Sequence, residues 1–372
     1  MKRFLLLISI TICLQVLAQQ KKSDTYDAFI TGKMKTDSFP GAVLLITKNG
    51  KPVKLASYGF SNLEHRVKTI PETVFELASV SKPLTATAMM MLVEQGKIAL
   101  DSSIAKYLSD VPASHKAITI RQIMTHTSGI PADHFAYNKL MGPTPLRYSI
   151  NDQLSDLYKL KLKSVPGTAY LYSNAALFMQ AAIIEKVSGV PFYQFVQKNI
   201  FTPLSMTKTS YINGDSIILN RAQGYTKRKG VLVRSSLEVI LQALDANGFG
   251  GGMSTAADYE KFLQATAQHK LLSESSYTLM TTPTILPNGN PAQANDGATM
   301  ALGWFVKDIN GHKAFLHGGY SGTFALHFIK EDISVIFFTN LSSGYGAITG
   351  DKGFDFMKTG FEIATMAVEQ WK

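Results

Sequence analysis

Apolar and polar positions change period along the first quarter of the chain. Gly41 to Lys48 and Pro52 to Gly59 are rich in β-forming residues, and Asn49-Gly50 between them is a preferred tight-turn dipeptide. From Ser79 to Gln95 apolar residues cover nearly every face of a helix, a pattern typical of the protein interior. This part of the chain therefore predicts a β-hairpin followed by a buried helix.

The rest of the chain predicts helices first and strands afterwards. Helical segments separated by Gly and Pro are predicted near residues 118–126, 173–187, 192–200, 235–245 and 256–268. The predicted strands are Leu302–Val306, Lys313–His317, Thr323–Lys330 and Ser334–Asn340. An amphipathic helix over about 354–371 closes the chain.

Strands at both ends with helices between them predict an α+β fold. We expect one antiparallel sheet, built from the N- and C-terminal segments and flanked by helices, with a large and mainly helical insertion. In this prediction residues 19–372 form a single unit, with its α/β part at about 24–78 and 255–372 and its helical part at about 79–254. The chain has 372 residues, 45% hydrophobic and 17% charged, which argues against disorder.

Residues 1–18 have the pattern of an export signal. Lys2 and Arg3 form a basic start, Phe4 to Val16 an apolar run, and Val16-Leu17-Ala18 a small-residue exit. The run is too short and too interrupted to favour a membrane-spanning helix, although a retained N-terminal anchor is the alternative. We therefore expect an exported protein, periplasmic or secreted, with no stable membrane span after cleavage. Cleavage after Ala18 would also remove Cys13, the single cysteine.

Charge and motif content exclude several classes of function. Removing Lys2 and Arg3 lowers the formal net charge from +10 to +8, and the remaining basic residues are scattered. The densest run, Lys227 to Lys229, is typical of a solvated surface, and without aromatic interleaving it predicts no nucleic-acid partner. The sequence has no G-x-S-x-G, H-E-x-x-H or G-x-x-x-x-G-K motif, and its histidines lack ligand spacing. We expect no metal and no cofactor.

The strongest candidate for chemistry is Ser79-Val80-Ser81-Lys82. A serine three residues before a lysine at a helix start places both side chains on one face, about a turn apart. The lysine can then help to deprotonate the hydroxyl, provided that its surroundings hold the amine neutral for part of the time. The alternative for Ser79 is a helix N-cap. The same pattern recurs at Ser103/Lys106 and Ser205/Lys208, in polar stretches where a lysine keeps its proton.

Two further elements add polar groups that suit acyl transfer. Tyr172-Ser173-Asn174 supplies a phenol that can relay a proton and an amide that can hold a substrate carbonyl. The alternatives are a buried tyrosine with a satisfied hydroxyl for Tyr172 and a helix cap for Asn174. In His317-Gly318-Gly319 the paired glycines let a ligand lie close to the strand, and His317 can add positive potential or a hydrogen bond. The Tyr320 N–H can complete an oxyanion hole with that of Ser79.

In this order the three motifs resemble the family of class C β-lactamases, serine D-alanyl-D-alanine peptidases and related esterases. The likeness covers about residues 24 to 370 and extends to three flanking phrases: Thr125-His126-Thr127-Ser128-Gly129, Pro166-Gly167-Thr168 and Gly251-Gly252-Met253-Ser254-Thr255. It implies a β-lactamase/transpeptidase-like fold, with Ser79 as nucleophile and Lys82 and Tyr172 as its proton-handling partners. It also implies substrate contacts at Asn174, His317, Gly318 and Gly319, and an oxyanion hole from the Ser79 and Tyr320 amides.

The third motif departs from the pattern usual in class C β-lactamases, which is Lys-Thr-Gly. The chain has His317-Gly318-Gly319 there, as some peptidases of the family do. The expected function is therefore a serine hydrolase that forms an acyl-enzyme with amide, lactam or ester carbonyls. Its substrates would be D-amino-acid peptides, β-lactams or small esters, with no expectation for the oligomeric state. The alternative from another class is a non-catalytic envelope binding or sensor protein.

Overall fold

The structure is a computed structural model that describes residues 24–131, 149–211, 217–235, 248–343 and 354–372. The predicted export signal lies outside the described residues, and so does most of the predicted helix at 235–245. The chain divides into two compact units, residues 1–39 and residues 40–372. In the first unit, helix α1 begins after Asp24, whose side chain accepts a hydrogen bond from the Asp27 N–H (2.9 Å).

The predicted elements that fall on described residues occur in the predicted order, and the structure adds further helices and several short strands. The helices are α1 Thr25–Asp37, α2 Lys82–Glu94, α3 Ile120–Met124, α4 Ile150–Leu157, α5 Ala175–Ser188, α6 Phe192–Val196, α7 Ala256–Ala267, α8 Glu274–Thr281 and α9 Phe356–Trp371. The strands are β1 Gly41–Lys48, β2 Lys51–Asn62, β3 Val67–Lys68, β4 Phe75–Glu76, β5 Ser210–Tyr211, β6 Tyr225–Arg228, β7 Val231–Arg234, β8 Gly252–Ser254, β9 Thr299–Met300, β10 Phe305–Ile309, β11 His312–Gly319, β12 Thr323–Phe328 and β13 Ile333–Thr339.

The main sheet joins the two ends of the chain and confirms the predicted α+β fold. It has eight strands in the order β3-β2-β1-β13-β12-β11-β10-β9, and its named neighbours pair antiparallel. The early and late segments meet where β1 pairs with β13, with Ala42 opposite Thr339. The hairpin between β1 and β2 is confirmed too: Asn49 and Gly50 both have positive φ (51° and 68°), as a tight hairpin turn requires. The helical part is an insertion between β4 and β8.

Helices cover both faces of this sheet. On one face α9 packs so closely that a Cβ on Gly360 would lie 2.5 Å from the Phe324 ring. On the other face α7 packs through Tyr259, whose ring lies 5.9 Å from that of Phe338. Helix α2 is buried on nearly all sides, as its pattern predicted, because the insertion encloses it.

Strand β10 lies three residues later than predicted at both ends, and β2 runs three residues past its predicted end at Gly59. Strand β10 begins at Phe305, three residues later than the predicted start at Leu302. The cause is Gly303 (φ 90°), where the chain approaches α2 so closely that a Cβ would lie 2.0 Å from Ala86 Cβ. The apolar residues at 301–304 therefore form a turn that buries Trp304, rather than a strand.

In the part of the chain that the structure describes, the length and composition of a membrane span occur only in one bent pair of helices. Within the ranges described, no single helix is both long and apolar enough to cross a membrane. Ala175–Ser188 and Phe192–Phe201 meet the length and composition criteria only when taken together, across a bend of 75°.

A buried polar cluster lies where α7 meets the sheet near the β1–β2 hairpin. The Thr47 hydroxyl donates to Glu260 Oε1 (2.5 Å), and burial raises the pKa of Glu260 from 4.5 to about 7. His327 is also buried, with its Nδ1 3.0 Å from Ser334 Oγ. Burial lowers the pKa of His327 from 6.5 to about 4. The two groups therefore bias the free energy of unfolding in opposite directions on the acid side of neutrality.

We predict that Glu260→Gln removes a pH-dependent loss of stability. Between pH 4.5 and 7 the unfolded chain releases the Glu260 proton while the folded protein keeps it, so this group lowers the free energy of unfolding as pH rises. Relative to the wild type, the variant should gain about 3 kcal/mol across that window, a shift that follows from the pKa difference. Chemical denaturation at a series of pH values measures the difference. A difference curve that stays flat from pH 4.5 to 7 would contradict the prediction.

Candidate active site

Ser79 lies in a strained turn immediately before α2. The turn is a 3-10 helix over Ala78–Ser81, and Ala78 has a φ of 45°, which is costly for a residue with a Cβ. The position that caps α2 is Ser81, so Ser79 is not the N-cap that the alternative interpretation proposed. The Ser79 hydroxyl instead accepts a hydrogen bond from Lys82 Nζ at 2.8 Å. The two side chains share one face, as their spacing predicted.

Lys82 is almost fully buried, with 1% of its surface exposed. Its Nζ donates to Ser79 Oγ (2.8 Å) and to the carbonyl oxygen of Phe249 (3.0 Å). The same nitrogen lies 4.9 Å from the centroid of the Tyr172 ring and 5.7 Å from that of Phe249. Hydrogen bonds and aromatic faces thus offset the cost of burying an amine.

The Phe249 carbonyl reaches Lys82 because glycines bring a distant segment close to α2. The Thr85 hydroxyl donates to the Gly248 carbonyl (2.7 Å), and the Gly252 N–H donates to Ser81 Oγ (3.2 Å). A Cβ on Gly252 would lie 2.6 Å from Ser81 Oγ. Side chains at these positions would therefore separate the segment from α2 and withdraw the carbonyl from Lys82.

The second motif lies at the start of α5. Tyr172 is half-buried, Ser173 is buried, and Asn174 occupies the N-cap position of α5. The Asn174 side chain makes no capping hydrogen bond to this helix, which is described in full. The cap alternative for the Asn174 side chain is therefore not what the structure shows. Asn174 stays a predicted substrate contact.

His126 is part of the site, although the sequence analysis included it only within a flanking phrase. Its ring centroid lies 4.5 Å from that of Tyr172, and its Nδ1 accepts a hydrogen bond from the Ser173 N–H (3.1 Å). Burial, and then the nearby charge of Lys82, hold the pKa of His126 well below its usual range. A lone histidine in a loop carries no periodic signal, so only the flanking phrase indicated it.

The third motif ends strand β11 and is tied to the residues before Ser79. The Thr323 hydroxyl donates to the Leu77 carbonyl (2.9 Å) and that of Ser321 to the Glu76 carbonyl (2.5 Å). A Cβ on Gly319 would lie 2.2 Å from the Leu77 oxygen. These contacts bring the strand end that carries Tyr320 to the Ser79 turn, whose first N–H groups lack intrahelical acceptors.

The three residues of the third motif alternate between the two sides of β11. A Cβ on Gly318 would meet Met357 and Phe356 of α9, whereas Gly319 faces Leu77. His317 shares the Gly319 face because side chains alternate along a strand. It is 1% exposed, and its Nδ1 lies 2.8 Å from the Gly318 carbonyl, so Nδ1 carries the proton.

The imidazole of His317 is neutral at physiological pH. Burial, reinforced by the nearby charge of Lys82, lowers its pKa to about 3. Of the two contributions that the sequence analysis left open, positive potential is therefore excluded near pH 7. The hydrogen bond that the structure shows runs to the backbone of the motif itself.

The two other Ser-x-x-Lys patterns do not form such a pair. Ser103 caps a short 3-10 helix over Ile104–Lys106, and its hydroxyl donates to the Lys116 carbonyl (2.6 Å). Ser205 lies in a turn with a φ of 53°. Lys82 is buried, whereas the lysines of the two other patterns are exposed, and this difference distinguishes Ser79 and Lys82 from the repeats of their motif.

Comparison with known proteins identifies the family of this chain. A family model described as Beta-lactamase matches residues 26–353, so the chain belongs to the β-lactamase family. It is 26% identical over 327 residues to Protein flp of Staphylococcus aureus (strain MRSA252), covering 86% of this chain and 63% of that protein. It is 29% identical over 265 residues to the putative penicillin-binding protein PbpX of Bacillus subtilis (strain 168), covering 71% and 64%. The matches thus span less than two thirds of these relatives.

Solved structures share the fold. The octameric penicillin-binding protein homologue from Pyrococcus abyssi superposes with a TM-score of 0.75 at 26% identity, over 87% of this chain and 74% of that one. EstCE1, a hydrolase with promiscuous acyltransferase activity, gives a TM-score of 0.75 at 21% identity, over 94% and 100%. Family and fold together support serine hydrolase activity in general.

We predict that Gly319→Ala impairs the site more than it impairs the fold. The new methyl group would push strand β11 away from the Leu77 carbonyl and so displace the Tyr320 backbone from Ser79. We expect the reactivity of Ser79 toward an acylating probe to fall about 10- to 100-fold, as sub-ångström misplacement allows. Gly360→Ala is the matched control, because it overpacks against Phe324 on the opposite face of the sheet. A control that lost as much reactivity as Gly319→Ala at equal Tm would contradict this.

Proposed function

We propose that this protein is a serine hydrolase that forms an acyl-enzyme through Ser79. The observation that carries the proposal is the 2.8 Å hydrogen bond between Lys82 Nζ and Ser79 Oγ, made by a lysine that is 1% exposed. A nucleophile needs such a partner to receive its proton. A binding protein has no physical need for a buried amine directed at a hydroxyl, and this observation favours the enzyme over the envelope sensor.

The proposed reaction has two steps. Ser79 Oγ attacks the substrate carbonyl while its proton passes to Lys82 or Tyr172, and the oxyanion accepts hydrogen bonds from the Ser79 and Tyr320 N–H groups. Collapse of the intermediate expels the protonated leaving group, and water then hydrolyses the ester bond to Ser79. Because Lys82 and Tyr172 are close neighbours, they act as one coupled unit and the base is assigned to the pair.

We propose amides, lactams or esters as substrates, in the form of D-amino-acid peptides, β-lactams or small esters. Among these, the neutral His317 favours substrates without a carboxylate beside the scissile bond, because it supplies no positive charge near pH 7. The structural likeness to a hydrolase with promiscuous acyltransferase activity supports acyl transfer on this fold.

Covalent labelling tests the nucleophile. Incubation with a fluorophosphonate should add the mass of one probe to the peptide that contains Ser79, and Ser79→Ala should abolish the addition. Lys82→Met should retain the fold and lower the labelling rate by about 100-fold or more, because the proton of Ser79 loses its acceptor. Ser103→Ala serves as the control, since Ser103 has the same motif but an exposed lysine. Labelling that survived Ser79→Ala would refute the assignment.

Relative rates on three substrates test the substrate class. A short-chain nitrophenyl ester should react faster, by kcat/KM, than a cephalosporin or a D-alanyl dipeptide, because both of these carry a carboxylate that meets a neutral His317. Methyl esterification of the dipeptide carboxylate should raise its kcat/KM. A preference for the free acid over its methyl ester would contradict the proposed selectivity, and tight binding without turnover would favour the sensor alternative.

A further inference from the structure

We infer that His126 is a positioning residue that holds Tyr172 in place beside Lys82. The inference rests on the proposed function, because it concerns the proton-handling pair of the same site. The His126 ring packs against that of Tyr172 and its Nδ1 accepts the Ser173 N–H, so His126 acts through Tyr172 rather than on a substrate.

The first part of the argument is a backbone clamp around Tyr172. The residue before Tyr172, Leu171, donates its N–H to the carbonyl oxygen of His126 (2.8 Å). The residue after it, Ser173, donates its N–H to His126 Nδ1 (3.1 Å). One residue therefore fixes the chain on both sides of the phenol, and the main chain of Tyr172 cannot shift without breaking one of these bonds.

The second part is the packing of the rings. The His126 ring lies 4.5 Å from the Tyr172 ring at an interplanar angle of 33° and meets Tyr170 edge-on at 6.3 Å. Lys82 Nζ lies 4.9 Å from the centroid of the same Tyr172 ring. The contact between the rings therefore adds to the backbone clamp in limiting how far the phenol can move.

The third part is the protonation state of His126. Because Nδ1 accepts the Ser173 N–H, the ring proton lies on Nε2 and the imidazole is neutral. Protonation at Nδ1 would break this bond and add a second positive charge near Lys82. Burial and the charge of Lys82 both oppose it. The clamp therefore persists at neutral pH.

The fourth part is the conformation that His126 adopts. Its φ of 54° is left-handed and unfavourable for a residue with a Cβ, yet the surrounding loop enforces it. The Gly167 N–H donates to the Thr127 carbonyl (2.7 Å) and the Lys163 N–H to the Gly129 carbonyl (2.8 Å). These bonds join the His126 loop to the segment that leads into Tyr172. Strain maintained in this way is typical of functional sites.

Two substitutions at His126 test the contribution of its ring and that of its hydrogen bond separately. Asparagine tolerates the left-handed conformation, and its Oδ1 can accept the Ser173 N–H, so His126→Asn removes mainly the ring. We expect it to fold with a Tm close to that of the wild type, and to lower both kcat on a nitrophenyl ester and the rate of Ser79 labelling by about 10- to 100-fold, with KM within about threefold. His126→Phe keeps an aromatic ring and loses the acceptor. Compared with His126→Asn, it should therefore lower the Tm more and the labelling rate less.

His115→Asn is the matched control. His115 is also buried, with its Nδ1 2.9 Å from Ser114 Oγ and its ring edge-on to Tyr158 at 6.2 Å. This substitution should leave kcat and the labelling rate unchanged. In a Tyr172→Phe background, His126→Asn should have less than a third of its effect on kcat, because the group that it positions is already gone.

The outcomes distinguish this inference from the proposed function. If the wild type is not labelled at Ser79, the proposed function fails, and this inference fails with it. If the wild type is labelled but His126→Asn keeps the wild-type kcat and labelling rate, only the positioning role is refuted. Equal losses in kcat with tyrosine and with phenylalanine at position 172 would also refute it, because His126 would then act independently of the phenol.

Discussion

The burial of one amine constrains much of this structure. Lys82 is enclosed, so its nitrogen needs acceptors that the protein must supply from elsewhere in the chain. The Phe249 carbonyl is one acceptor and the Ser79 hydroxyl another. To supply the carbonyl, the segment at 248–252 approaches α2 at a distance that only glycine permits at Gly252. To hold Ser79 within reach, the turn before α2 tightens and places Ala78 at a positive φ. The strained turn at Ala78 and the close packing around α2 are therefore both linked to the burial of Lys82.

The sequence predicted the parts of this arrangement that local pattern determines. The Asn49-Gly50 turn, the all-round apolar helix and the spacing of Ser79 and Lys82 follow from backbone geometry, so short windows were enough. Prediction from the sequence failed where contacts between distant parts of the chain determine the local structure. Strand β10 starts late because Gly303 lets the chain meet Ala86, and no window around residue 303 shows that partner. For the same reason the sequence did not identify His126 as a separate site residue, because it contacts Tyr172, which lies 46 positions later in the chain.

The two histidines near Ser79, the proposed nucleophile, are both uncharged near pH 7. Two imidazoles, those of His126 and His317, lie close enough to Lys82 for its charge to lower the pKa of each, and both are neutral at physiological pH. The two histidines therefore add no positive charge at this point near pH 7. A neutral histidine packs in the interior without adding a second positive charge beside Lys82, as a lysine at that position would. The third motif thus places a neutral, packed side chain where class C β-lactamases usually have a lysine, while the hydrogen bond between Lys82 and Ser79 is present.

The proposed oxyanion hole draws its two N–H groups from Ser79 and Tyr320, which lie far apart in the sequence. Their relative position depends on the sheet, because β11 is part of the same eight strands that join the two ends of the chain. Two side chains then fix the distance between the strand end and the Ser79 turn. The Ser321 hydroxyl donates to the Glu76 carbonyl and the Thr323 hydroxyl to the Leu77 carbonyl, just before Ser79. Backbone donors fixed in this way cannot reorient when charge develops, so stabilising an oxyanion costs little reorganisation. The sheet that joins both ends of the chain therefore also holds the Tyr320 side of the proposed site, and two side-chain hydrogen bonds tie it to the residues before Ser79.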